Sequence, residues 1–306
     1  MKLLRPRETL TENLALMGLA AAINVALALL STFLPLSSFA LLLFLPLVSA
    51  LTAFYCKDKY IPFYIVSSAV VSLLATCYDL SITLFDVIPS LIVGSFFGYL
   101  LKKGVTGEYS ILLVSLAKVG INYGMIYLLK LIYGVDIIDS FINLLGLKEI
   151  TFINDIVPTF IFGYSLIQEL ITYLLIALTT INFVNYKKQS KNPYLMNAII
   201  SWIAIIIIAL GYFLAFTSFR ALGYLLAMIG IYLSIATVKT LFRKNRWWIY
   251  LILGILLLGT FRLSIVLFGI EDRNIAILGF LPFFVSISLC SSISSLLFMS
   301  GKGEKS

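Results

Sequence analysis

The chain has no histidine among its 306 residues and little charge, with Asp, Glu, Lys and Arg together at 12%. Without histidine it lacks the commonest general base near neutral pH and the commonest metal ligand. Histidine-dependent catalysis and most metal chemistry are thereby excluded. Cysteine is scarce as well. Cys56, Cys77 and Cys290 are odd in number, far apart and without CxxC spacing, so they indicate neither a disulfide framework nor a redox motif; they read as small apolar packing residues. No GxxxxGK[ST] phosphate loop occurs, so any ATP hydrolysis has to come from a partner. The net charge of +8 is spread one loop at a time, without the basic patch and interleaved aromatics of a nucleic-acid surface. No catalytic residue, cofactor, metal or nucleic-acid partner is expected, and the chain is not expected to be an enzyme.

What the sequence has in excess is apolar surface. Hydrophobic residues make up 61%, against roughly 45–50% in a soluble domain, more than a core of this size can bury. A bilayer accepts that surface. Apolar runs long enough to cross roughly 30 Å of hydrocarbon lie near Leu14 to Leu34, Ser38 to Cys56, Ile61 to Cys77, Val87 to Leu101, and Tyr109 to Tyr133. Five more lie near Val157 to Phe183, Leu195 to Phe216, Ala221 to Leu241, Trp247 to Phe268 and Ile275 to Met299. The expected fold is an all-α polytopic membrane protein of about ten transmembrane helices. Thr9 followed by Glu12 forms a capping-box pattern ahead of the first run. Acidic Glu8 and Glu12 and the missing small-x-small site argue against a cleaved signal.

Orientation follows from the basic residues. The N-terminus, alternate connections and C-terminus hold Lys2, Arg5, Arg7, Lys57, Lys59, Lys102, Lys103, Lys187, Lys188, Lys191, Lys239, Arg243, Lys244, Arg246, Lys302 and Lys305, which is 16 of the 22 Lys and Arg residues. The opposite connections hold only Lys148, Arg220 and Arg273. The positive-inside rule then places both termini in the cytoplasm of a multi-pass plasma-membrane protein. An odd number of spans would break the alternation, which favours ten over nine.

The polar stretch NYKKQSKNP from Asn185 to Pro193 is the strongest composition break, dividing six spans (residues 1–190) from four (191–306). Between spans five and six, Gly134 to Pro158 is too long for a tight turn. There Ile138, Phe141, Ile142 and Leu145 fall at helical spacing, as in an amphipathic helix at the outer surface. It is either a linker on the headgroups or a lid.

Ionisable residues inside the bilayer are informative, because each costs about 2.5–3.5 kcal/mol or more at a helix centre. Lys118 and Glu169 qualify. Counted from the cytoplasmic side they lie at depths of ~14 and ~21 Å, a difference that a lysine side chain spans. They form either a structural ion pair or, with Asn122, Tyr123, Tyr164 and Gln168, a ligand-binding site of charged and neutral hydrogen-bonding groups. Asp79 and Asp86 read as a solvated acidic turn between spans three and four. Arg262 near the outer end of span nine, with Arg220 and Arg273, makes an outer anion site conceivable, although Glu271 and Asp272 neutralise them equally well. On the first helix Ala15, Gly18, Ala22 and Ala26 form a stripe with almost no side-chain bulk, suited to intramolecular packing or to docking another subunit. Gly94 and Gly98 of GSFFG form a similar pair, read as intramolecular packing.

The basic N-terminus, the opening TENLALMGLAAAINVAL and the span DVIPSLIVGSFFGYLLKKG resemble the substrate-capture, or S, components of energy-coupling-factor transporters. The full length, with four further spans, resembles the YybS-like family of bacterial membrane proteins related to them. The resemblance implies a six-helix module in the first 190 residues that captures a vitamin-like metabolite from outside. It also implies that the module docks through Gly18, Ala22 and Ala26 on a transmembrane coupling subunit driven by ATPases. Lys118, Asn122 and Glu169 fall on the helices that usually line the pocket. Besides membrane lipids, the expected partners are that coupling subunit and an unidentified small molecule. Two alternatives stand beside capture or transport: a lipid-handling membrane enzyme, and a regulatory or assembly protein without a small ligand.

Overall fold

The computed structural model describes residues 6–33, 35–77, 80–134, 136, 138–139, 142, 153–179, 193–238, 255, 259 and 281–300. Among these all regular structure is helical: α1 Leu10–Phe33, α2 Pro35–Tyr55, α3 Ile61–Ala75, α4 Leu80–Lys102, α5 Gly107–Tyr133, α6 Ile153–Thr179, α7 Pro193–Ala215, α8 Arg220–Thr237 and α9 Leu281–Ser300. Seven of these are long and apolar enough to cross a membrane, and the described apolar parts of α2 and α9 are shorter. The architecture is that of a multi-pass membrane protein. The ninth expected span apart from residues 255 and 259, the KKQSK break, Asp79, Arg262, Glu271, Asp272, Arg273 and most of the connection after Gly134 lie outside the described residues.

The chain divides into two compact units, Met1–Leu147 with Phe160–Lys188, and Lys148–Thr159 with Gln189–Ser306. In the first unit α1 begins with the reciprocal bonds of a capping box: Glu12 N–H donates to Thr9 Oγ1 (3.2 Å) and Thr9 N–H to Glu12 Oε2 (3.3 Å). Its buried face reads Asn13, Met17, Ala20, Asn24, Ala28 and Ser31, a helical stripe. Asn24 Nδ2 donates to the Tyr64 hydroxyl of α3 at 2.7 Å, and Ser49 of α2 lies 3.2 Å from the same oxygen. Tyr64, fully buried, sits in a core with Met17, Leu45, Val87 and Leu91. Because lipid offers apolar side chains no net gain over another helix, such interhelical hydrogen bonds and close backbone approach hold membrane bundles together. Close approach is plain between α2 and α4, where a Cβ on Gly94 or Gly98 would overlap the backbone of Pro46 or Ala50.

Two helix ends use glycine at positive φ. After α4, Gly104 (φ 80°) lets its own N–H reach Leu101 O at 3.0 Å and that of Val105 reach Leu100 O at 3.1 Å, a Schellman pair. After α5, Gly134 (φ 67°) closes a bond to Lys130 O. One end of the unit is tied by Asn13, whose Oδ1 accepts Lys57 N–H at 2.9 Å, and by Lys102, whose Nζ donates to Cys56 O (2.6 Å) and Asp58 Oδ1 (2.5 Å). Past α5, Asp136 pairs with Lys130 at 2.9 Å, a hydrogen bond that holds its carboxyl below the usual range.

The fourth helix differs from the sequence expectation. The apolar run starts at Val87, whereas α4 starts at Leu80, and its stretch Thr83–Val87 is π-helical. Thr83 Oγ1 lies 2.5 Å from Thr76 Oγ1 at the end of α3, which fixes the entry to this turn. Asp86 therefore lies within the helix, partly buried, rather than in a solvated turn.

In the second unit α7 and α8 pack backbone to backbone. A Cβ on Gly211 would lie 2.7 Å from Ala227 N, and one on Gly223 2.5 Å from Ala215 N. Against them lies α9, whose buried serines bond across: Asn197 Nδ2 donates to Ser291 Oγ (2.9 Å) and Ser295 Oγ (3.1 Å), Ser288 Oγ to Ser234 Oγ (2.8 Å), and Ser291 Oγ to Thr237 O (3.0 Å).

Candidate functional site

The first unit holds polar and charged side chains on α4, α5 and α6 at positions where a lipid-facing helix would carry none. On α5 the buried positions Ser115, Lys118 and Asn122 recur at three- and four-residue spacing and so share one face. On α6 the buried positions Ser165, Glu169 and Thr172 do the same, with Tyr164 and Gln168 forming the adjoining stripe. The two helices run in opposite directions: Gly107 at the start of α5 lies against the Tyr173 ring near the end of α6, and Lys118 lies against Gln168 and Tyr164.

Lys118 has no exposed surface. Its Nζ donates to Gln168 Oε1, and the ammonium stands 5.3 Å from the centroid of the Tyr164 ring. Gln168 Nε2 in turn donates to the Tyr164 hydroxyl at 3.1 Å, which fixes the amide with its oxygen toward the lysine. Asp86, presented by the π-turn of α4, and Glu169 both act electrostatically on Lys118. The site thus contains one basic and two acidic side chains.

Glu169 is fully buried, yet among the described residues neither carboxylate oxygen has a hydrogen-bond partner. Along its stripe Ser165 Oγ and Thr172 Oγ1 are buried and have no partner among the described residues either, as is true of Asn122 Oδ1 and Ser115 Oγ on α5 and Ser90 Oγ on α4. Buried polar atoms ordinarily pair, and each that does not costs about 1–3 kcal/mol. Among the described residues, Glu169 and the hydroxyls of its stripe thus leave hydrogen-bonding capacity unused.

Of the residues expected from sequence, Lys118, Asn122, Tyr164, Gln168 and Glu169 lie in this layer, and Lys118 bonds to Gln168 rather than to Glu169. Tyr123 is 36% exposed; one residue past Asn122, it is turned about 100° away. Ser115, Ser165 and Thr172 are additions to the sequence-based set, and Asp86, expected in a solvated acidic turn, joins them. The serine and threonine were legible as a stripe with Glu169, whereas Asp86 depends on a π-turn that hydropathy does not reveal. Among the described residues no group of three or more Asp, Glu or Cys is placed to hold a metal. The small-residue positions Gly18, Ala22 and Ala26 of α1 are exposed, and a Cβ added at Gly18 meets nothing within 4 Å. Arg220, at the start of α8, is exposed as well.

Compared with known proteins, the chain matches no family model, no curated protein and no solved structure.

Proposed function

We propose that the chain captures a small polar metabolite within the plasma membrane and takes part in its transport, without an ATPase of its own and without covalent chemistry. The observation behind this reading is Glu169, a fully buried carboxylate with no donor among the described residues, together with a buried lysine whose only hydrogen bond among them is to a neutral amide. A purely structural pair would close on itself, since a charge in hydrocarbon rarely persists without a partner or a task.

In this reading the chain crosses the membrane ten times with both termini in the cytoplasm, and its first six helices resemble an S component. Docking on a coupling subunit through Gly18, Ala22 and Ala26 is supported by the exposure of that stripe, because a face already filled by the chain's own helices would leave no room for another.

The test is native mass spectrometry of the purified full chain, with uptake assays in cells. The wild type should retain a small molecule that denaturation releases, and the Lys118→Met/Glu169→Leu variant should fold yet retain none. Full uptake by that variant, or no retained molecule and no uptake at all, would remove the reading.

A further inference from the structure

We propose that the ligand presents a positively charged, hydrogen-bond-donating nitrogen, an organic ammonium or amidinium, to Glu169. The inference rests on the capture reading above and names its substrate class.

Three observations carry it. The first is an excess of acceptors: Glu169 Oε1 and Oε2 and Asn122 Oδ1, atoms that can only accept unless protonated, are buried without donors among the described residues. The flanking hydroxyls of Ser165 and Thr172 can accept as readily as they donate. The missing partner is therefore a donor. The second is the charge balance. Lys118 interacts electrostatically with two acidic side chains, Asp86 and Glu169, so when both are ionised one further positive charge makes the group neutral, and a buried net charge is costly. An anionic ligand would worsen the balance.

The third observation separates an organic cation from a bare metal ion. Cation sites between membrane helices draw on backbone carbonyls freed where a helix unwinds. Through Ser165 to Thr172 α6 is unbroken α-helix, and so is α5 from Ser115 to Asn122, so their carbonyls are engaged within the helices. The side-chain oxygens of one stripe leave an inorganic ion under-coordinated. The three N–H groups of an ammonium, or the fork of an amidinium, suit the carboxylate and hydroxyls of the Ser165–Glu169–Thr172 row.

Benzamidinium, benzamide and benzoate are near-isosteric probes of opposite character. Each is titrated into the full-length protein in detergent at constant ionic strength while the thermal unfolding midpoint is followed, with sodium chloride as the reference salt. Benzamidinium alone should raise the midpoint in a saturable way. Its apparent affinity should fall about tenfold or more in Glu169→Gln and stay unchanged in the surface control Lys103→Gln.

The proposal is overturned if benzamide or benzoate stabilises as well as benzamidinium, if sodium chloride reproduces the shift, or if Glu169→Gln responds like the wild type. Should Glu169→Gln not fold, Ser165→Ala/Thr172→Val replaces it, and an undiminished response there overturns the proposal equally. A retained metabolite that is neutral or anionic would refute this inference and leave capture standing. A selective benzamidinium response, without retained metabolite or uptake, would establish the cation site and refute capture.

Discussion

Lys118 spends its one hydrogen bond to a described residue on the neutral Oε1 of Gln168, although Glu169 is the next residue along α6. Adjacent positions on a helix differ by about 100°, so the two side chains leave the axis in different directions, and the amide rather than the carboxylate meets the ammonium. Truncating the amide strands a buried charge. Gln168→Leu should therefore cost about 1.5–3 kcal/mol of stability. Removing the lysine as well should recover part of that loss, so a cycle of Gln168→Leu and Lys118→Met should show a coupling of roughly 0.5–3 kcal/mol. Reversible unfolding in mixed micelles measures it, and strict additivity would show that the bond contributes nothing.

Glu169→Gln separates stability from function. The wild-type carboxylate is buried without donors among the described residues, so replacing it by its neutral isostere relieves a desolvation cost. The variant should be as stable as the wild type to within about 1 kcal/mol, or more stable. Its metabolite retention should fall nonetheless. If stability dropped sharply instead, the carboxylate would be holding the helices together.

The glycines divide into two groups. Gly94→Ala and Gly98→Ala press a methyl into the backbone of α2 and should each cost about 1–3 kcal/mol. At Gly18 and Gly120 a Cβ meets nothing, so alanine there should be neutral, or stabilising by up to about 1 kcal/mol through helix propensity. Thermal melts of the four variants check this ordering. Equal losses at all four positions would contradict the α2–α4 contact.

Hydropathy and spacing made the helices and the polar face of α5 legible, because both are set by local periodicity. The stripe of α1 was legible as small, but not as exposed: that depends on the opposite face, where Asn13 and Asn24 turn inward to bond Lys57 and Tyr64. Polar residues on an apolar helix mark the buried side only once their partners are known. Asp86 was misread for a related reason. The apolar run begins one residue later, at Val87, and no composition signal announces the π-turn that draws the aspartate into α4.

The three thiols should differ in reactivity. Cys77 is exposed, while Cys56 and Cys290 are buried, and burial pushes the Cys56 thiol up to about 11. A maleimide at neutral pH should label Cys77 alone. In intact cells a membrane-impermeant maleimide should reach it, since it lies at the far end of α3 from Lys57; labelling only after permeabilisation would reverse the proposed orientation. Because the folded Cys56 holds its proton to about 11 against an ordinary 9.0, its contribution to stability is complete below pH 9 and lost as pH rises toward 11.

The bonds of α9 also bear on the order of biogenesis. Ser288 and Ser291 find their partners on α8, 54 residues earlier in the chain, and Ser291 and Ser295 find Asn197 of α7, 94 and 98 residues earlier. When this serine-rich segment leaves the ribosome, the groups that satisfy its hydroxyls have already been synthesised. It can pass from the translocon directly onto a waiting α7–α8 hairpin. Lys118 faces the opposite situation, because Gln168 is 50 residues downstream. Helix α5 has to enter lipid before the hydrogen-bond acceptor of its ammonium exists, with only Asp86 of α4 already synthesised beside it, so an insertase or chaperone would assist the chain during that interval.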